Sequence, residues 1–142
     1  MKISARNVFD GIVAAIKPGP INSEVDIDLP GGLRIVATVT HDSVAELGLA
    51  AGRPAKAIVK ASSVLVLADG AGVKLSARNR LEGTVSAIVQ GPVSSSVTIA
   101  LPQGASVCAT VTHESLLALG LKVGAPATAV FKAPSVIVGV DA

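Results

Sequence analysis

The 142-residue chain contains no tryptophan, no tyrosine and only two phenylalanines, Phe9 and Phe131. A core without large rings must be filled by Val, Ile, Leu and Ala. Val and Ile are branched at Cβ and favour the pleated surface of a strand. The same scarcity argues against a nucleic-acid surface, because single-stranded bases are held by stacking on aromatic rings. Charge is sparse and balanced, with 12 basic and 10 acidic residues and a net charge of +2. That leaves no basic stripe of the kind a generic nucleic-acid binder carries. The single cysteine, Cys108, excludes an internal disulfide and a cysteine-rich metal site, and it fits a reducing compartment. No apolar run approaches the roughly 18 residues of a membrane span. The start, MKISARNVFDG, lacks the apolar stretch of a signal peptide. These absences predict a cytoplasmic protein with no membrane and no nucleic-acid partner.

What is present is a repeat. An offset of 72 residues carries SARN at Ser4 onto SARN at Ser76, and ATVTHDS at Ala37 onto ATVTHES at Ala109. It also carries LGL at Leu47 onto LGL at Leu119, and KASSV at Lys60 onto KAPSV at Lys132. No gap is needed, and about half of the aligned positions are identical. Two copies make a tandem duplication, since solenoids need at least about three repeats to bury a core. The expected organisation is a first domain over 1–68, a linker over 69–73 and a second domain over 74–142. Each unit is small for independent stability, so mutual support or association with other chains is expected.

The fourteen glycines and eight prolines suit many short strands joined by tight turns. Residues 2–16 read as one long strand, bent at Gly11. Residues 23–29 alternate, with Val25, Ile27 and Leu29 against Asp26 and Asp28, which is the period of a half-buried strand. A third strand follows over 34–40. Residues 41–49 read as a short helix, stopped by Gly52 and Pro54. Residues 55–68 read as one long strand or two consecutive ones. The predicted fold class is all-β: two tandem OB-like five-stranded β-barrels, each with one short helix.

No catalytic constellation is visible. There is no Walker loop, no G-x-G-x-x-G after a strand and no G-x-S-x-G elbow. His41 and His113 are the only histidines, and without partners they read as helix-start residues rather than metal ligands. Cys108 aligns with Val36 and reads as a small apolar core residue. The chain is therefore read as non-enzymatic, with no metal bound directly by side chains.

Three polar places do repeat. Ser4 with Arg6, and Ser76 with Arg78, are expected to face one side of their strand, where i and i+2 point together, offering one hydroxyl and one guanidinium fork. Thr40 with Ser43, and Thr112 with Ser115, fit the N-cap and third position of the short helix; ordinary capping explains them without a ligand. Lys60 and Lys132 stand in otherwise apolar surroundings and read equally as edge-protecting lysines. Taken together, all of these groups are donors. A donor-only pocket suits a fully deprotonated tetrahedral dianion and disfavours monohydrogen phosphate, whose proton needs an acceptor. Sulfate and molybdate both meet that description.

The motifs SARN-x-φ-x-G (φ apolar), GPINSEV, VT-x-x-S-x-x-x-LGL-x-x-G and φ-K-A-[PS]-x-V occur in order. Together they resemble the Mop domain of molbindins, over nearly the whole chain. The resemblance implies a homotrimer of tandem chains and molybdate or tungstate as the bound ligand, with no organic cofactor. It implies oxyanion sites between domains, built from Ser4, Arg6, Thr40, Ser43, Lys60 and Ala61, and from Ser76, Arg78, Thr112, Ser115, Lys132 and Ala133. Asn7 and Asn79 belong to the motif but read equally as structural. A second class of site would use the turn at Ile21, Asn22, Ser23 and Glu24, matched by Val93 and Ser94 in the second repeat. There the pattern departs, because Ser96 replaces the glutamate. The implied role is storage and homeostasis of the oxyanion; the alternative is a molybdate-sensing module that acts on a partner protein.

Overall fold

A computed structural model describes residues 1–69 and 72–142. Gly70 and Ala71, in the expected linker, lie outside the described residues. In the first repeat the order is β1 (Asn7–Pro18), β2 (Asn22–Asp28), β3 (Arg34–Thr40), α1 (His41–Leu47), β4 (Pro54–Val59), a 3-10 turn (Ala61–Ser63) and β5 (Leu65–Leu67). The second repeat follows with β6 (Asn79–Val89), β7 (Ser94–Ala100), β8 (Ser106–Thr112), α2 (His113–Leu119), β9 (Pro126–Phe131), a 3-10 turn (Ala133–Ser135) and β10 (Ile137–Gly139).

The alternation read in the sequence is the alternation of burial. Val25 and Ile27 are fully buried and Leu29 nearly so, while Asp28 is exposed. Each helix is too short to be stable alone and is held at both ends. Thr40 and Thr112 cap the starts, and Gly48 and Gly120 adopt the left-handed conformation at the ends, with φ of 64° and 62°. That conformation is nearly strain-free only for glycine.

Three local expectations are corrected. Residues 2–6 are not strand; β1 begins at Asn7, so the paired-face argument for Ser4 and Arg6 does not hold. The irregularity of β1 is a bulge between Val13 and Ala15, with a matching one between Val85 and Ala87 in β6. Gly11 answers a close approach instead. A Cβ there would stand 2.6 Å from the Asp28 carbonyl oxygen, and one at Gly83 only 2.2 Å from that of Ala100. Finally, Lys60 and Lys132 are not within strands. Each caps a 3-10 turn that separates two strands.

The chain forms two five-stranded antiparallel sheets, in the orders β10-β4-β1-β2-β3 and β5-β9-β6-β7-β8. In the first, Ile137 pairs with Ile58 and Val138 with Ala57. In the second, Leu65 pairs with Val130 and Val66 with Ala129. The last strand of each repeat therefore completes the other repeat's sheet. One compact unit comprises Met1–Val59 with Lys132–Ala142, and the other Lys60–Phe131. The expected domains 1–68 and 74–142 follow the sequence repeat, whereas packing divides the chain at these other positions. The first core centres on Val13, Val25, Ile27, Ile35 and Val59, and the second on Val85, Val97, Ile99, Val107 and Phe131. Both are apolar sets without a ring larger than Phe, as the composition requires.

Candidate functional site

Each short helix starts with the same hydroxyl pair. Thr112 Oγ1 accepts the Ser115 backbone N–H at 3.1 Å and donates its own proton to Ser115 Oγ at 2.8 Å. Thr40 and Ser43 repeat this at 3.1 and 2.9 Å. A hydroxyl has a single proton, so the threonine is committed to the cap. The Ser43 and Ser115 hydroxyls keep their protons for an outside acceptor.

Strand exchange decides what stands beside these pairs. In the second unit, a cavity of about 220 Å³ is lined by Thr110, Thr112 and Ser115 from one repeat and by Ser62, Val64 and Leu65 from the other. Lys60 and Ala61 immediately precede Ser62 in the 3-10 turn, which packs against β8. In the first unit the equivalent turn, after Lys132, packs against β3, which ends at Thr40. The predicted residues are thus distributed between the units in crossed sets. Thr112 and Ser115 share a unit with Lys60 and Ala61, and Thr40 and Ser43 share a unit with Lys132 and Ala133. Ala61 and Ala133 are buried, while both lysines are exposed.

Ser4, Arg6, Ser76 and Arg78 are exposed in the segments before β1 and β6. None of them lines the cavity beside Thr112. Asn7 and Asn79 are buried at 3% and 1% exposure, so the asparagine of SARN turns inward while the arginine stays outside. Among the described residues, Arg6, Lys60 and Lys132 make no ion pair. The cations that are paired lie elsewhere. Arg34 bonds Asp28 at 2.7 Å and approaches Asp26 at 3.6 Å, and Lys56 Nζ lies 2.5 Å from Asp10. The Arg34–Asp28 contact raises the arginine's titration and lowers the aspartate's. The hydrogen bond from Arg34 holds the Asp28 carboxyl below its ordinary value, and the bond to Asp10 pushes Lys56 up.

The second expected site class is partly built. Ile21 and Val93 stand out at the β1–β2 and β6–β7 turns, 77% and 79% exposed. Asn22 and Ser94 sit opposite Thr40 and Thr112 in the sheets. Ser23, however, is buried and bonds His41 Nδ1 at 3.2 Å, so its hydroxyl is committed internally. His41 Nε2 also bonds the Gly19 carbonyl, tying the β1–β2 turn to the start of α1. That role of His41 was not legible in the sequence, where no spacing signals it. Glu24 is 3.9 Å from Lys17; Ser96 in its place lies 3.2 Å from Cys108 Sγ. Cys108 is only half-buried, which corrects its reading as a core residue. It sits on the half-exposed face of β8, one residue from fully buried Val107 and Ala109. No group of three or more His, Cys, Asp or Glu able to hold a metal ion occurs among the described residues.

Residues 3–66 and 75–138 each match the TOBE domain. The chain belongs to the TOBE domain family. Its two TOBE copies coincide with the two sequence repeats. The fold is similar to the crystal structure of the cytoplasmic molybdate-binding protein ModG with molybdate bound, at 52% identity and a TM-score of 0.96, over 99% of this chain and 100% of that one. The molybdenum transport protein ModE of Herbaspirillum seropedicae is 47% identical over 99% of this chain. The molybdenum-pterin-binding protein MopA of Rhodobacter capsulatus is 42% identical over 96%. The TOBE pair spans about half the length of these last two relatives, 52% of each. No helix is long and apolar enough to cross a membrane among the described residues.

Proposed function

We propose that this protein binds molybdate or tungstate without catalysis, and stores and buffers the oxyanion in the cytoplasm. The observation that carries this reading is the crossed donor set: Ser115 beside the Lys60–Ser62 turn, and Ser43 in the unit of Lys132, with no carboxylate paired to either lysine. Fixed donors and positive charge replace the water shell of a dianion, and no protein atom need bond the metal. The absence of an acceptor at the lysines disfavours a ligand that carries a proton, so monohydrogen phosphate is rejected. Similarity to a molybdate-bound protein over the full chain supports molybdate over sulfate.

The exposed segments Ser4–Arg6 and Ser76–Arg78 carry cations and hydroxyls of the same kind. In this reading they complete the pockets from neighbouring chains of a homotrimer, and exposed Ile21 and Val93 lie at the contacts between chains. Neither nucleic acid nor membrane is a partner. A second reading, a sensing module that acts on a partner protein, is favoured by one fact: relatives twice this length carry the same tandem pair.

Calorimetric titration with molybdate, tungstate, sulfate and phosphate, with the mass in solution measured alongside, tests the proposal. Binding of molybdate and tungstate by a trimer is expected. Equal binding of sulfate, or a monomer that binds nothing, overturns it. A change of affinity or mass in the presence of a longer partner would favour the sensing role.

A further inference from the structure

We infer that the two crossed oxyanion sites are unequal, and that Ser62 makes the second unit's site the tighter one. The inference rests on the oxyanion reading and deepens it. KASSV and KAPSV differ at one position, Ser62 against Pro134. The turns around them are otherwise alike. Ser63 N–H bonds the Lys60 carbonyl at 2.9 Å and Ser135 N–H bonds that of Lys132 at 3.0 Å. The residues before them are equally extended, with φ and ψ of −66° and 139° at Lys60 and −80° and 145° at Lys132. The first turn of each short helix carries one carboxylate, Asp42 or Glu114, so that group does not separate the two sites.

Within the turn, the difference is one of donors. Ser62 lines the cavity with Thr112 and Ser115. It offers a hydroxyl, and it has a backbone N–H that the turn's own two bonds, made by Ser63 and Val64, do not use. Pro134 has no N–H and no hydroxyl, and it presents ring carbons at the matching place. An oxyanion that loses water on entering is left with fewer partners beside Pro134. One hydrogen bond to a charged group is worth roughly ten- to a hundredfold in affinity. The protein then holds a tight and a weak reservoir in equal number, and buffers over a wider concentration range than one class of site allows.

The test is calorimetry with molybdate on the intact protein and on Ser62→Pro, Pro134→Ser and Ser62→Ala. The matching turn already holds a proline in the same backbone, so Ser62→Pro keeps the fold; Pro134→Ser tests the same idea by gain. The unaltered protein is expected to show two equal classes, about tenfold or more apart. Ser62→Pro should merge them into the weaker class, and Pro134→Ser into the tighter. Ser62→Ala should fall between, because it keeps the N–H. A single class in the unaltered protein, or a tight class that survives Ser62→Pro, overturns the inference and leaves the oxyanion reading standing. Absence of any molybdate binding overturns both.

Discussion

Strand exchange makes a prediction in which cause and effect lie in different repeats. Val136 follows the second 3-10 turn, is 3% exposed, and packs in the unit of Met1–Val59. Its counterpart Val64 is 2% exposed and packs in the unit of Lys60–Phe131. Val→Ala removes two buried carbons at about 0.8 kcal/mol each and leaves a small cavity, for a cost of about 2 kcal/mol. At about 1.4 kcal/mol per tenfold, amides that exchange by opening of the affected unit should exchange roughly 30-fold faster. Hydrogen-exchange mass spectrometry reads this by segment. Val136→Ala should lose protection in β4, Pro54–Val59, although the substitution lies in the second repeat. Val64→Ala should lose it in β9, Pro126–Phe131. If Val136→Ala instead speeds exchange in β9 and spares β4, each repeat completes its own sheet and the topology is wrong.

The hydroxyl pair predicts a split between stability and binding. Ser115→Ala keeps the Thr112 cap and should weaken molybdate about tenfold or more by calorimetry, at little cost in stability; Thr112→Val should also cost about 1 kcal/mol in urea unfolding. Equal molybdate affinity in Ser115→Ala would remove that serine from the site. Gly83→Ala puts a methyl 2.2 Å from the Ala100 carbonyl oxygen, and should destabilise by about 1–3 kcal/mol or more. An unchanged denaturation midpoint would contradict that contact. The Asp28 carboxyl is held below its ordinary value by Arg34, so its contribution is present at neutral pH and lost as pH falls through the folded-state value. Asp28→Asn should therefore lower the melting temperature slightly near neutrality and converge with the unaltered protein below about pH 3. A difference that persists undiminished in acid would refute the assignment.

Much of this was legible in the sequence because it is local or periodic. Alternation placed Val25, Ile27 and Leu29 inward, since side chains in a strand point to opposite faces in turn. Thr40 and Thr112 could be read as caps because capping needs only the next three residues. The SARN stretch misled for the same reason in reverse. Its i, i+2 spacing has meaning only if the segment is strand, and pairing with β4 starts at Asn7. Likewise, Gly11 is conspicuous in the sequence, but its cause is a carbonyl oxygen on β2, 17 residues away.

The amino-acid order alone determined the duplication, the strand-rich aliphatic core, the capped helices and the donor chemistry of Lys60, Ser115 and their counterparts. Only the tertiary structure decided which copy of each motif stands beside which. The segments KASSVLVL and KAPSVIVG are nearly interchangeable, so either could in chemical terms complete either sheet. Local preference cannot choose between two such similar strands. The path of the whole chain chooses, and it sets Lys60 in the unit of Ser115 and Lys132 in the unit of Ser43.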